Sequence, residues 1–348
     1  MKILNIIDIP WHSALAEYAV EQTRALRALG HEVFSAAPRR SEYWRFSLAE
    51  KIGTVDIAGR KDFLIVPSAV KIARFAEACG ADVLNAHTGR AQTLAYAARL
   101  LSKKNFKLAR TKADAGIPRP SFTYNKVSGV IAASGAIERS YLPLELPRGL
   151  ITVIHQGVEL RPYRPLPAGP LIRVGLLGRL DPVKGHAHFI EAAARILAKN
   201  KNVEFLIAGK EAHVKFPELK AKAVSLGIAA RINWLGHVKD PFEFIDSCHI
   251  GVIASTASEV VSRALLEWLA QGRAVIGTDV GSVPEMLDQA HLVPPGDPTA
   301  MAEKLLALIS GRENMEQAGL SNRKIAAERF SMKVFAEKTG GFFGKLAD

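Results

Sequence analysis

Two doubly wound parallel α/β domains are what this sequence predicts, on three observations. Strand-like apolar runs alternate with helical patterns along the whole chain, as in a parallel sheet with helices on its faces. One dense proline cluster, Pro162-Tyr163-Arg164-Pro165-Leu166-Pro167-Ala168-Gly169-Pro170, interrupts the alternation near the middle. Its fixed φ angles and missing donors suit a linker. A second alternating set then begins at Ile172-Arg173-Val174-Gly175-Leu176-Leu177-Gly178. The boundaries that follow are 1–168 for an N-terminal domain, 169–325 for a C-terminal domain and 326–348 for a final helical segment.

The elements follow in order. Short apolar runs bounded by turn residues read as buried strands, and longer stretches with a 3.6-residue period read as helices. In the first half the strands fall near 2–7, 32–36, 62–66, 82–86, 107–110, 128–133 and 151–154. Helices fit between them near 13–29, 68–79, 90–103 and 135–141. The second half repeats the pattern with strands near 172–178, 203–208, 231–234, 249–254 and 274–277, and ends in one or two amphipathic helices over 322–346. Ligands of such open sheets bind beyond the carboxyl ends of the strands, and two stacked domains of this kind make a cleft there.

Composition narrows the class. The 348 residues are 48% hydrophobic and 23% charged, ample for two cores. No run of about 18 apolar residues spans a bilayer. The start, Met1-Lys2-Ile3-Leu4-Asn5-Ile6-Ile7-Asp8, turns acidic too soon for a signal peptide. Cys79 and Cys248 stand in apolar surroundings, so reduced thiols and a cytoplasmic location are expected. Residues 1–168 carry 24 Lys and Arg against 14 Asp and Glu, whereas residues 169–348 carry 22 against 20. A basic first half suits an anionic membrane surface, a phosphorylated substrate or nucleic acid, or is simply a soluble basic surface. Within it, Arg39-Arg40-Ser41-Glu42-Tyr43-Trp44-Arg45-Phe46, with Lys51, reads either as a membrane-interface stretch or as an acceptor-side lid whose aromatics pack on the domain.

Two motifs carry chemistry. Gly178-Arg179-Leu180-Asp181-Pro182-Val183-Lys184-Gly185-His186 follows the first strand of the second half. Its glycine permits close backbone approach, and Arg179 and Lys184 on one loop can clamp a diphosphate. His186 and His188 are two apart on the following helix and face different directions, which argues against a metal pair. Next, Ser258-Glu259-Val260-Val261-Ser262-Arg263-Ala264-Leu265-Leu266-Glu267 puts two carboxylates eight positions apart at an expected helix start. On a helix this is a rise of roughly 12 Å, with Glu259 at the mouth beside free N–H groups and Glu267 well inside. That geometry fits a long phosphate-containing ligand with a polyol at each end. The alternative is a capping glutamate followed by an ordinary exposed one.

In combination these segments resemble the family 4 retaining glycosyltransferases. The order Gly-Arg-Leu-x(3)-Lys-Gly, then Ser258-Glu259-x(7)-Glu267, then Gly277-Thr278-Asp279-Val280-Gly281-Ser282-Val283-Pro284-Glu285 is similar to theirs. So are Val293-Pro294-Pro295-Gly296-Asp297-Pro298, Glu328-Arg329-Phe330-Ser331, Leu29-Gly30-His31-Glu32-Val33, His87 and Ile154-His155-Gln156-Gly157-Val158-Glu159. Arg110 with Thr111-Lys112-Ala113-Asp114 resembles a lipopolysaccharide-type branch. The resemblance implies a GT-B fold, with a nucleotide-sugar donor, expected to be a UDP-sugar, held mainly by the second domain. It implies a glycan or glycolipid acceptor on the first domain and a final segment that crosses back to that domain. By position, Arg179 and Lys184 would neutralise the donor diphosphate and Glu267 would bond the ribose. Glu259 would contact the sugar hydroxyls, His87 would lie near the transferred sugar, and Gly178 with the backbone of Val260, Val261, Ser262 and Arg263 would meet phosphate or sugar. His12, Ser13, Arg110, Lys112 and Asp114 are the acceptor or loop candidates.

No Asp-x-Asp occurs in the chain, so catalysis without a metal or other cofactor is expected. Departures from the family are Pro10-Trp11-His12-Ser13-Ala14-Leu15-Ala16 where a Gly-Gly loop is usual, and Val260-Val261-Ser262-Arg263 where Gly-Phe-Gly is usual. Another is the lack of a glycine in Asp288-Gln289-Ala290-His291-Leu292-Val293. Ser13 could replace a backbone donor, and Arg263 could meet phosphate or solvent. Other readings compete with a hexosyl or heptosyl transferase. A degenerate homologue would bind the nucleotide sugar without transfer. Sugar epimerisation or phosphorolysis lacks an identifiable phosphate site or cofactor lysine. A dinucleotide oxidoreductase would want Gly-x-Gly-x-x-Gly where Asp8-Ile9-Pro10-Trp11 stands. A nucleic-acid-binding protein has only the charge in its favour, without a recognisable module, so no nucleic-acid partner is expected. The location expected is cytoplasmic, with peripheral contact to an anionic membrane through the basic half.

Overall fold

The computed structural model describes residues 1–348 apart from His12, 61–63, Arg148 and Asp348. In chain order the first part contains β1 (Lys2–Ile6), α1 (Ala14–Ala28), β2 (Glu32–Ala37), α2 (Glu42–Ala49), β3 (Thr54–Asp56) and α3 (Ile65–Cys79). There follow β4 (Val83–Ala86), α4 (Gly89–Leu101), β5 (Lys107–Lys112), β6 (Gly129–Ala132), α5 (Gly135–Arg139) and β7 (Ile151–Val153). Next are β8 (Ile172–Leu177), α6 (His186–Lys199), β9 (Val203–Ala208), α7 (Phe216–Ser225), β10 (Ile232–Gly236) and α8 (Pro241–Asp246). The remainder is β11 (Ile250–Ile253), α9 (Arg263–Ala270), β12 (Ala274–Thr278), β13 (Leu292–Val293), α10 (Pro298–Ile309), α11 (Arg312–Ile325) and α12 (Met332–Ala347). The chain divides into two compact units, Met1–Gly157 with Met332–Asp348, and Val158–Ser331.

Each unit is a parallel sheet with one topological switch point. The first sheet has the order β3-β2-β1-β4-β5-β6-β7 and the second β10-β9-β8-β11-β12-β13. In both, the chain builds outward on one side of the first strand and then crosses to the other, so loops diverge between β1 and β4, and between β8 and β11. Strands covered on both faces read as unbroken apolar runs. Accordingly β4, β6, β11 and β12 are buried at every position.

Packing in the second unit centres on Trp268 of α9, which is fully buried and meets Phe244 edge-on with ring centroids 5.9 Å apart. Room for the indole comes from glycines in the strands beneath it. A Cβ on Gly251 would lie 2.3 Å from the ring, and one on Gly175 would lie 3.0 Å away. In the first unit a polar network crosses the core instead. The Asn85 amide donates to Asn5 Oδ1 (2.8 Å) and Gln22 Oε1 (2.9 Å), and Asn5 donates to Thr23 (3.0 Å) and the Tyr43 hydroxyl (3.1 Å). Gln22 donates to Thr111 (3.2 Å), whose hydroxyl bonds Asn85 Oδ1 (3.0 Å). Helix α12 packs on this unit through Phe335, edge-on to Tyr18 at 5.4 Å, and Tyr18 donates to the Ile154 carbonyl.

Several expectations are corrected. Of the strand expected near 62–66, residues 62 and 63 lie outside the described residues, while Ile65 and Val66 begin α3. Pro67 sits in the first turn of that helix, where a missing N–H leaves no intrahelical bond unmade. The sheet takes β3 instead, three half-buried residues with too little apolar character to read as a strand. The aromatic stretch 39–46 forms most of α2. Tyr43 is buried, and Trp44 and Phe46 pack on the cluster around Ile7, Leu15 and Ala19. The proline-rich stretch is not a free linker and lies inside the second unit. Its carbonyls accept from Arg273 (Arg164 O, 2.8 Å), Arg312 (Pro167 O, 3.0 Å; Leu166 O, 2.9 Å) and, just upstream, Arg323 (Arg161 O, 2.7 Å). Both cysteines are free thiols, Cys248 buried and Cys79 half-buried. No helix among the described residues is long and apolar enough to cross a membrane.

The glycine beneath Trp268 gives a direct test of packing. Gly251→Ala is expected to cost about 1–3 kcal/mol through overpacking. In contrast, Gly344→Ala in α12, where a Cβ meets nothing within 4 Å, should stabilise by about 0.5–1 kcal/mol. Urea unfolding of the two variants measures both.

Candidate active site

In the second unit the switch point gathers the two motifs. Gly178 directly follows β8, and the loop after it runs against the loop after β11. Thr256 N donates to the Val183 carbonyl (2.8 Å), and a Cβ on Gly185, which has φ +68°, would fall 1.9 Å from the Ala254 carbonyl oxygen. Only glycine fits there, on both counts. This contact brings Lys184 into an ion pair with Glu259, whose Oε1 also accepts from Ser255 (2.6 Å). The Glu259 backbone is pinned from the far side, where its carbonyl accepts from both the amide and the hydroxyl of Ser282 (2.8 Å each). Gly281 lies so close that a Cβ would sit 2.4 Å from the same oxygen. Arg179 extends outward, its side chain 61% exposed and paired with Asp181 at 3.1 Å. His213 reaches the same carboxylate at 3.0 Å.

Glu259 does not stand on the helix, contrary to what its spacing from Glu267 predicts. Ser258 has φ +64°, α9 starts only at Arg263, and the residues between form a loop. Glu267 is inside the helix, and the alternative of an ordinary exposed glutamate fails for it, because its side chain is only 7% exposed. It accepts from Arg263 Nε at 3.0 Å, one turn earlier. Val260 and Val261 are half-buried and Ser262 is buried at the N-cap of α9, but no side chain caps this helix. Nor does a side chain cap α6, which begins after Gly185. Uncapped first turns present N–H groups to an anion. By comparison, α8 and α10 of the same unit are capped by Asp240 and Asp297. His186 is buried, which lowers its imidazole to about 4 and keeps it neutral.

In the first unit the equivalent position, beyond β1 and β4, holds Asp8, His87 and Thr88. All three are buried, and Thr88 donates to Asp8 at 2.5 Å. His87 Nε2 lies 3.1 Å from the Asn85 amide nitrogen and 3.4 Å from Asn5 Oδ1, whereas Nδ1 has no partner. Burial, reinforced by the charge of Arg110, lowers this imidazole to about 3. Arg110, Lys112 and Asp114 are brought together at the end of β5. Lys112 Nζ bonds Asp114 Oδ1 at 2.7 Å, and Arg110 approaches its other oxygen at 4.0 Å. Ser13 accepts from Ala16 N (3.3 Å) as the N-cap of α1, so its oxygen serves the helix. His12 lies outside the described residues. Sequence reasoning passed over Ser255 and Ser282, which hold Glu259, and Asp8, Thr88 and Arg90 beside His87. Thr88 and Ser255 are chain neighbours of His87 and Glu259 but carry no motif, whereas Ser282 and Asp8 are brought there by the fold. Among the described residues no group of three His, Cys, Asp or Glu is placed to hold a metal ion.

Two Rossmann-like units, each with polar groups gathered at its switch point, define a protein of the GT-B class. The family model described as "Glycosyl transferases group 1" matches residues 172–311, and "Glycosyltransferase Family 4" matches 15–161. The chain belongs to glycosyltransferase family 4. It is similar to the phosphatidyl-myo-inositol mannosyltransferase of Mycobacterium leprae, with 26% identity over 64% of this chain and 60% of the relative. It is also similar to the lipopolysaccharide core biosynthesis mannosyltransferase LpcC of Rhizobium leguminosarum, with 26% identity over 64% and 65%. The matched region thus spans less than two thirds of each of these relatives. Among solved structures, Anabaena HepE in complex with UDP superposes with a TM-score of 0.84 at 19% identity, covering 99% of this chain and 100% of that one.

The buried imidazole has a measurable consequence. His87 has a folded-state value of about 3, below its ordinary 6.5, so the unfolded chain takes up the proton first. Stability is complete above pH 6.5 and falls as the pH drops towards 3. His87→Gln is expected to flatten that slope by about 1.4 kcal/mol per pH unit, the contribution of one proton. Urea titrations at several pH values between 7 and 4 read it.

Proposed function

We propose that the chain is a retaining glycosyltransferase that moves a sugar from a nucleotide diphosphate sugar, a UDP-sugar, to a hydroxyl of a glycan or glycolipid acceptor without a metal ion. The observation that carries this reading is the cluster of Arg179, Lys184, Glu259 and Glu267 around two uncapped helix N-termini at the switch point of the second unit. Membership in family 4 and the likeness to a UDP-bound structure support it.

Each group then has a task. The departing nucleoside diphosphate gains negative charge as the anomeric C–O bond breaks, and Arg179 and Lys184 stabilise it together with the amides that open α6 and α9. Glu259, held by Ser255 and Ser282, accepts from hydroxyls of the sugar, and Glu267 accepts from the ribose. The acceptor oxygen forms the new bond on the face from which the diphosphate leaves, and its proton passes to the departing phosphate oxygen. This route needs no side-chain nucleophile and retains the anomeric configuration.

Thermal denaturation with UDP, GDP, ADP and CMP in the presence of chelator tests the donor site. One nucleoside diphosphate at 100 times its Kd should add about 2.7 kcal/mol, and Glu267→Ala should abolish the shift. Once an acceptor is in hand, Lys184→Ala should lower kcat by about 10²–10³, while chelator leaves turnover unchanged. Nucleotide binding without transfer to any acceptor would make the chain a binding-only homologue. No shift with any nucleotide would overturn the reading.

A further inference from the structure

The first unit contains a cavity of about 710 Å³ whose lining includes five cations. Arg60, Arg90, Arg110, Lys112 and Arg119 face it, and among the described lining residues Asp114 is the one carboxylate. Asp8 stands behind Arg90 at 3.4 Å. Five cations against two carboxylates leave three positive charges around one space. Two of the five are themselves buried, since the Arg110 and Lys112 side chains are each 5% exposed and share the single carboxylate of Asp114. Burial drives the Lys112 ammonium below its usual value against the pull of Asp114, and the charges of Arg110 and Arg60 add to the effect. Arg110 and Lys112 against Asp114 leave one desolvated surplus charge, which is costly unless an anion meets it.

The rest of the lining says more about the ligand. Thr88, Gly89 and Arg90 open α4 against the cavity, so its helix dipole adds to the positive field. Arg60 and Arg119 are exposed, and neither has a carboxylate partner among the described residues. Their planar forks are suited to bidentate contact with phosphate oxygens. The volume falls in the roughly 300–1,000 Å³ range of small-molecule sites, well beyond a bare ion. Ile65 and Ile117 at the lining are exposed apolar side chains, which suits a ligand that is only partly polar.

We propose that this cavity is a phosphate-binding subsite, in which Arg60, Arg119, Arg110 and Lys112 hold a phosphate ester carried by the acceptor. That the ligand is the acceptor rests on the transferase reading; that the cavity takes a phosphate ester does not. Two sources share this chemistry, a soluble sugar phosphate and the headgroup of a phosphorylated lipid.

The test uses the whole chain at 0.15 M salt with saturating UDP, so that the second unit's site is already filled. One arm measures calorimetric binding of glucose 6-phosphate against glucose. The other measures co-sedimentation with phosphatidic-acid vesicles against phosphatidylcholine vesicles. Both are run on wild type, on Arg60→Gln/Arg119→Gln, and on the charge-matched Arg74→Gln/Arg195→Gln. The expected result is phosphate-dependent binding in at least one arm, weakened about tenfold or more by the first pair and unchanged by the second. Dependence in the sugar phosphate arm identifies a soluble ligand, and dependence in the vesicle arm identifies a lipid headgroup. Binding that is absent from both arms, or equally affected by both variants, overturns the proposal. A wild-type chain that binds phosphate ester through Arg60 and Arg119 but shows no UDP shift would sink the transferase reading and leave this site standing.

Discussion

The second unit depends on how closely two backbone segments approach at its switch point. Gly185 lies over the carbonyl of Ala254 at a distance no side chain tolerates, and Gly209 lies as close to the carbonyl of Gly178, where a Cβ would fall 1.8 Å away. These contacts hold the loops after β8, β9 and β11 against one another. Lys184 can then reach Glu259, and the first turns of α6 and α9 point to the same side. A single methyl group at either glycine would separate the cations from the carboxylates they now oppose. Charge placement here is a consequence of backbone sterics, and the ion pair is its result rather than its cause.

The helix starts at the two switch points are treated differently. In the first unit, Ser13, Ser41, Thr88 and Ser134 each accept from the amide three residues on, so α1, α2, α4 and α5 are closed at their N-termini. In the second, the helices at the switch point are left without side-chain caps. A capping hydroxyl typically contributes on the order of 1 kcal/mol, so stability is forgone where the amides can instead meet a ligand's phosphates.

Much of this was legible in the sequence, for a physical reason. Strands such as β6, β11 and β12 are buried at every position and read as nearly unbroken apolar runs, and the glycine-bearing loop after β8 is marked by its own residues. Legibility failed where local composition and tertiary placement part company. β3 is half-buried and short, α2 hides Tyr43 beneath a surface rich in arginine, and α3 begins on three exposed apolar residues. Glu259 and Glu267 are eight apart and both buried, but a left-handed turn at Ser258 puts one in a loop and the other in a helix. Of the cationic cavity's residues, Arg110, Lys112 and Asp114 alternate along β5 and stood out in the sequence, but Arg60, Arg90 and Arg119 come from other segments that only the fold makes their neighbours.

The amide network around Asn5 and Asn85 gives the first unit a core of unusual character. An apolar core accepts a leucine for an isoleucine with modest repacking, but each member of this set satisfies at least one other buried partner. Replacing one by an apolar residue strands its neighbours, at roughly 1–3 kcal/mol for each polar group left unmatched. The interior is therefore coupled in the way the letters of a single word are: β1, β4, β5 and α1 must agree on their polar residues together. Change at these positions proceeds by grouped exchange, and single substitutions drawn from a relative would be poorly tolerated even where the relative's own core is sound.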